Sequence, residues 1–403
     1  MFVEVQLSSG TTVTPDELRY VFESVIRDNP LIFKQEPFMI DNFPFPNPYY
    51  AKSVKSIEIF GSGSPINVSV YYLNESDQKD ETIENDGETI SIATQTTLPS
   101  VKLENLWSSI IFEDGNVDIK ETLLNYMETS LLFSDYGICS DTITSNRVLL
   151  LYGPPGTGKT TLCQGLAQKI SIRFANRFDY GVLLEVNTHS LFSKWFAESG
   201  KMVKKLFDKL NNLAQDTSAL VFVLIDEVES LATARQSSMN GSDPSDAIRV
   251  VNALLTQIDQ LRRRPNVIIM ATSNLTECID FAFVSRADLK QFIGYPGKKA
   301  RYEIFSNCIA ELMTKGIIIP CDSWFGLNYE SFHNEKYDFC QTLNHCLDLS
   351  NNMPGRILRR LPFLTFVYNK MNPPIQLNSF MIALESAISN EKEVTKYLKE
   401  KTH

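Results

Sequence analysis

Gly153-Pro154-Pro155-Gly156-Thr157-Gly158-Lys159-Thr160 follows directly on the apolar run Val148–Tyr152. The apolar run reads as a buried parallel strand and the residues from Thr160 onward as a helix, so loop amides and a helix N-terminus converge on one anionic site. Glycines let the backbone approach phosphate oxygens without a Cβ clash. Lys159 adds a point charge for the β- and γ-phosphates, and the Thr160 hydroxyl is placed to ligate Mg²⁺. The pattern implies a nucleoside triphosphate site.

A second strand, Ala219–Ile225, ends in Asp226-Glu227. Acids at the C-terminal tip of a buried strand lie where ligands bind in open α/β sheets. Asp226 is suited to hold Mg²⁺ through water, and Glu227 to polarise an attacking water. Glu229 reads as a solvated helix residue. A third strand, Asn266–Ala271, leads through Thr272 and Ser273 to Asn274, whose amide can orient a water opposite the γ-phosphate. Arg286, after Asp280–Ser285, is placed to face a neighbouring subunit. Arg356 in Pro354-Gly355-Arg356 offers a second cation in a lid-like segment.

These residues need a sheet covered on both faces, and the chain supplies the helices. Lys201–Ala214 carries Val203, Leu206, Phe207, Leu210 and Leu213 at helical spacing, and Ile248, Val251, Leu254, Leu255, Ile258 and Leu261 repeat the pattern. Arg262-Arg263-Arg264 closes the second helix, where dipole pairing and solvation account for it. At 403 residues the chain has room for about two or three domains. Residues 1–74 read as a small α+β unit, with strands at Phe2–Leu7, Ser56–Phe60 and Ile66–Leu73 and a helix near Pro15–Asn29. Residues 75–88, dense in acidic and polar side chains, read as a mobile linker, so the N-terminal unit is expected to fold independently on a flexible tether. Residues 89–315 are expected to form the nucleotide-binding α/β domain and 316–403 a helical lid.

The formal net charge of −10 argues against general attraction to nucleic acid or anionic membranes. The seven cysteines show no CxxC pair, so reduced thiols, with no disulfide and no zinc, are expected. No apolar run approaches a membrane span and no secretory leader is recognisable, so an intracellular soluble protein is expected.

The chain resembles the AAA+ ATPases, and more narrowly the pachytene checkpoint protein 2 homologues, from about Leu106 to Leu364. The resemblance rests on Ser190–Lys201, Leu224–Leu231, Pro244–Ala253, Thr256–Gln260 and Gly355–Leu364. It implies a fold of an AAA+ P-loop parallel-sheet domain with a helical lid and a small α+β N-terminal domain. It implies Walker A roles for Lys159 and Thr160, Walker B roles for Asp226 and Glu227, and a first-sensor role for Asn274. By the same resemblance Arg286 is a trans-acting arginine finger and Arg356 a second sensor. Arg286 stands alone before Ala287-Asp288-Leu289-Lys290, where many AAA+ proteins carry paired arginines.

Lys194-Trp195-Phe196 matches the family's first pore loop, in which an aromatic grips an unfolding chain by apolar contact. A buried tryptophan is the alternative for Trp195 taken alone. Residues 235–245 read equally as a second pore loop or as disorder without function. The activity implied is ATP-driven, Mg²⁺-dependent remodelling of HORMA-domain proteins, from closed to open form, by a homo-hexamer that an adaptor supplies with substrate. Meiotic chromosome or spindle checkpoint control would follow, in the nucleus, on chromosomes and in the cytoplasm. A nucleic-acid motor and an ATP-gated scaffold without turnover are the competing readings; the aromatic pore motif opposes the first, and Glu227, Asn274 and Arg286 oppose the second.

Overall fold

The computed structural model describes residues 1–29, 43–61, 65–85, 88–112, 118–138, 142–188, 199–229, 244–274, 281–325, 327–332 and 337–401. The chain divides into two compact units. One comprises residues 1–107, 120–152 and 160–291, and the other residues 108–119, 153–159 and 292–403.

The first unit opens with β1 (Phe2–Leu7), α1 (Pro15–Asp28), α2 (Pro48–Ser53), β2 (Val54–Phe60) and β3 (Asn67–Tyr71). β1 is central, antiparallel to β2 and parallel to β3. Its alternation sends Val3, Val5 and Leu7 into a core with Leu18, Phe22 and Ile26 of α1. Thr14 caps α1 by accepting from the Glu17 amide, and Pro15 takes the first position, where no donor is required. The other face of β1 carries Glu4 and Gln6, both buried.

Next come β4 (Lys79–Asn85), β5 (Glu88–Leu98), α3 (Ile119–Asp135), β6 (Val148–Tyr152), α4 (Lys159–Arg173), β7 (Tyr180–Val186), α5 (Ser199–Leu213), β8 (Ala219–Ile225), α6 (Pro244–Leu261), β9 (Val267–Ser273) and β10 (Leu289–Phe292). They build a seven-stranded sheet in the order β10-β6-β9-β8-β7-β5-β4, with β6, β9, β8 and β7 mutually parallel and β5 and β4 antiparallel at one edge. Every residue of β8 and β9 is buried, as a sheet covered on both faces requires. Val203, Leu206, Phe207 and Leu210 of α5 and Val251, Leu254, Leu255, Ile258 and Leu261 of α6 form a core with Val221, Val223 and Ile225 of β8. Arg147 Nη2 donates to the carbonyls of Arg262 and Arg264, so a cation from another segment caps the end of α6.

Two expectations about the N-terminal region are corrected. The stretch read as a mobile linker, 75–88, contains β4, paired antiparallel with β5 from Lys79 to Asn85. Backbone pairing at a sheet edge needs no apolar side chains, and charged residues suit an edge that must not recruit further strands. The N-terminal sheet is also fastened to the ATPase core. Glu4 meets Lys169 Nζ at 2.6 Å and Arg173 Nε at 3.2 Å, both near the C-terminus of α4. Lys169 lies over the Phe60 ring and Arg173 over the Phe2 ring, at 3.7 and 4.2 Å.

The second unit is helical, with α7 (Lys298–Thr314), α8 (Asp338–Leu349), α9 (Gly355–Asn369) and α10 (Leu377–Lys401). Tyr302, Ile304, Phe305, Ile309 and Met313 of α7 share one core with Leu343 and Leu347 of α8, Leu358 and Leu361 of α9, and Phe380 and Leu384 of α10. The lid therefore begins near Phe292, not at residue 316. α7 supplies one wall of that core and cannot be separated from it.

Candidate functional site

In the phosphate loop Gly153 has φ +146°, and a Cβ there would fall 2.1 Å from the Ile293 carbonyl oxygen. Only glycine fits. Gly158, at φ +96°, takes a backbone conformation that L side chains rarely adopt. Lys159 is 4% exposed, and its Nζ donates to the carbonyls of Gly153 at 2.9 Å and Pro154 at 2.8 Å. Thr157 Oγ1 donates to the Pro154 carbonyl, so Pro154 anchors two loop side chains. Pro155 lies within this loop as expected. Lid contact comes through the backbone: the Arg356 amide donates to the Gly156 carbonyl at 3.2 Å, and the Arg356 side chain is exposed.

At the ends of β8 and β9 the acids and hydroxyls meet. Thr160 Oγ1 donates to Asp226 Oδ1 at 2.9 Å, and Thr272 Oγ1 bonds to the same oxygen. β8 and β9 pair with Ile225 opposite Ala271, which brings the next residues, Asp226 and Thr272, side by side. Thr272 also accepts from the Glu227 amide at 3.2 Å through its hydroxyl and from the Val228 amide at 2.9 Å through its carbonyl. The turn leaving β8 is thereby stitched onto the end of β9. Glu227 sits at φ +55°, a left-handed conformation that costs a non-glycine residue about 1–2 kcal/mol. The turn holds the Glu227 carboxylate beside Asn274, whose Nδ2 donates to Glu227 Oε1 at 3.1 Å.

Glu229, expected to be solvated, is half-buried and accepts the Asn274 amide through Oε1 at 3.0 Å. It fixes the backbone from which the Asn274 amide group projects. The roles of Thr272 and Glu229 are not legible in the sequence; the signal for Thr272 is a hydroxyl two residues before Asn274, directly after the apolar run that ends at Ala271. Behind this cluster Gln164 Nε2 donates to Glu185 Oε2 at 2.8 Å. Burial, the largest cause, raises the Glu185 carboxyl above its ordinary value; the Gln164 bond works against that shift and the Asp226 charge adds to it. An all-oxygen set of the Thr160 hydroxyl and the Asp226 carboxylate suits a hard divalent cation that keeps several waters.

Arg286 is held in another place. Its Nε donates to Asp259 Oδ1 at 3.0 Å, its Nη2 to Asp259 Oδ2 at 2.8 Å, and its Nη1 to the Ala282 carbonyl at 2.5 Å. Lys194, Trp195 and Phe196 lie outside the described residues, as do residues 235–243 of the second loop. Among the described cysteines, Cys163, Cys308, Cys321, Cys340 and Cys346 are free thiols. No described helix is long and apolar enough to cross a membrane.

Comparison with known proteins agrees with this geometry. Residues 149–295 match the ATPase family associated with various cellular activities (AAA), and residues 297–392 match the TRIP13-like AAA+ ATPase lid C-terminal domain. The chain is 41% identical to the pachytene checkpoint protein 2 homolog of Homo sapiens, covering 98% of this chain and 94% of that one. It is also 41% identical to the Xenopus tropicalis homolog, covering 99% and 94%. The solved structure of C. elegans PCH-2 superposes with a TM-score of 0.76 at 31% identity, over 97% of this chain and 99% of that one. A chain from the E. coli MS115-1 HORMA:CdnC:Trip13 complex shares the fold at a TM-score of 0.54 and 18% identity, over 73% and 94%. The relation extends through the ATPase core and the lid alike, so the chain belongs to the pachytene checkpoint protein 2 (TRIP13) family of AAA+ ATPases and is an ATPase.

Proposed function

We propose that this ATPase is a ring-forming remodeller, most simply a homo-hexamer, that uses ATP to convert HORMA-domain proteins from a closed to an open form. The observation that carries the substrate class is the TRIP13-like lid on a chain 41% identical to checkpoint homologues, together with the fold shared with a component of a HORMA:CdnC:Trip13 complex. An adaptor delivering substrate, a role in meiotic chromosome or spindle checkpoint control, and residence in the nucleus, on chromosomes and in the cytoplasm belong to the same reading.

The loop amides and Lys159 bind the phosphates. Thr160 and Asp226 would hold Mg²⁺, which supplies charge neutralisation at the β- and γ-oxygens when bound. Glu227 orients and polarises the attacking water, with Asn274 fixing the carboxylate from one side. Arg286 contributes charge to a neighbour's site and Arg356 to its own. Lys194, Trp195 and Phe196 grip the substrate chain, so hydrolysis and pulling are separable. A Glu227→Gln variant keeps the shape of the site and loses the carboxylate, so in ATP it should retain a purified HORMA-domain protein through affinity capture. Trp195→Ala should hydrolyse ATP at a near-normal basal rate yet fail to convert that protein. Failure of the Glu227→Gln trap to hold any HORMA-domain protein, with ATP bound and adaptor present, would sink the substrate assignment.

A further inference from the structure

We propose that Asp259 is a positioning residue for the trans-acting arginine: it fixes the plane of the Arg286 guanidinium so that the side chain reaches a neighbour's γ-phosphate already oriented. This rests on the reading of Arg286 as an arginine finger. Arg286 follows the short helix Phe281–Val284, which Phe283 seats in the core, but that apolar packing holds the backbone and not the plane of a long charged side chain. The aim comes from α6. Asp259 accepts from Nε and Nη2 as two parallel bonds of 3.0 and 2.8 Å, a bidentate fork that defines the guanidinium plane. The Ala282 carbonyl takes Nη1, which stops rotation within that plane.

The carboxylate lies along the Nε and Nη2 edge, so the pair directs the terminal edge, Nη1 with Nη2, away from α6. An arginine pre-aimed in this way loses less side-chain freedom when it meets phosphate in the transition state, and that saving appears in the rate. Asp259 is itself braced: Arg262 Nε, three residues on and just past the end of α6, lies 3.3 Å from Asp259 Oδ1. The carboxylate is therefore shared by two cations, and its removal would leave Arg262 and Arg286 facing one another. Both members of the Asp259 and Arg286 pair are partly exposed, at 31% and 25%, so the bond orients a side chain at the surface and does not hold up a core.

The test compares full-length wild type, Asp259→Ala, Arg286→Ala and the double variant, measuring steady-state ATPase and the affinity for a fluorescent ATP analogue. Asp259→Ala is expected to lower kcat by about tenfold, equivalent to the loss of one oriented interaction in the transition state, with nucleotide affinity unchanged. The double variant is expected to be no slower than Arg286→Ala, because Asp259 acts through Arg286. In mixtures with Lys159→Ala subunits, Asp259→Ala protein should regain activity at interfaces that pair its intact Lys159 with the partner's intact Asp259 and Arg286. An inactive Arg286→Ala beside a fully active Asp259→Ala would overturn the proposal and leave the finger reading standing. Equal further slowing by Asp259→Ala in the Arg286→Ala background, or loss of nucleotide affinity, would reduce Asp259 to a structural role. A fully active Arg286→Ala would remove the finger reading itself.

Discussion

Asn274 Nδ2 donates to Glu227 Oε1 across 3.1 Å, from the tip of β9 to the turn that leaves β8. The two residues are 47 positions apart in the chain, and the parallel register of the two strands makes them neighbours. The bond does two things at once: it fixes one oxygen of the carboxylate and leaves the amide oxygen as an acceptor beside it. A water placed by both groups is held by an acceptor pair that neither supplies alone.

Asn274→Ala should therefore lower kcat by about a hundredfold with ATP affinity preserved, the scale seen when one preorganised polar group is lost. Glu227→Gln should fall at least as far, and the double variant should be no worse than Glu227→Gln. Steady-state phosphate release with parallel nucleotide titration checks this. Independent, multiplying losses would separate the two residues into unrelated roles.

The phosphate loop, the Asp226-Glu227 pair and Asn274 were legible because each is announced locally, by glycines after an apolar strand or polar residues at a strand end. Thr272, Glu229 and Asp259 were not, since their roles depend on which strands and helices lie side by side. Thr272 reaches Asp226 only through the β8 and β9 register, and Asp259 reaches Arg286 across 27 residues. β4 was hidden for a different reason: an edge strand in which Lys, Asp, Glu and Asn surround only Thr82 and Ile83 has the composition of a linker. The lid boundary did carry a signal, in Gly294-Tyr295-Pro296-Gly297 just before α7, but the apolar content on both sides of it is similar.

The buried Glu185 carboxyl predicts a pH-dependent stability. Its folded pKa is raised above the ordinary 4.5, chiefly by burial. A carboxylic acid shifted upward binds its proton more tightly in the folded chain, so the fold gains from protonated Glu185 at low pH and loses that gain as pH rises through the folded value. Glu185→Gln keeps the acceptor for Gln164 and has no charge to bury. In denaturant titrations without nucleotide the variant should be more stable than wild type at pH 8, with the gap narrowing as pH falls and closing below about 4.5. A gap constant across that range would show that Glu185 ionises at its ordinary value.

The last prediction concerns how the N-terminal sheet is carried. Glu4 is 1% exposed, and its carboxylate is shared by Lys169 and Arg173 of α4, the helix that starts at the phosphate loop. Glu58 and Glu128 pair with the same two cations at 3.1 and 2.5 Å, so the cluster is a network of both signs closed over by the Phe2 and Phe60 rings. Removing its most buried member takes away the one carboxylate that both cations share and leaves Lys169 with Glu58 and Arg173 with Glu128, a loss of about 2 kcal/mol, on the scale of lost charge-assisted hydrogen bonds. Glu4→Ala should accordingly shift urea unfolding of the full chain to lower concentration, while Glu23→Ala on the exposed face of α1 leaves it unchanged. If the sheet is fixed to α4, the Glu4→Ala chain should also gain an early transition, with protease cutting in residues 72–79 before the ATPase core unfolds. An unfolding curve identical to wild type would mean that the N-terminal sheet gains nothing through this contact and is held by its other bonds, such as those from Gln6 and Lys55 to Glu104.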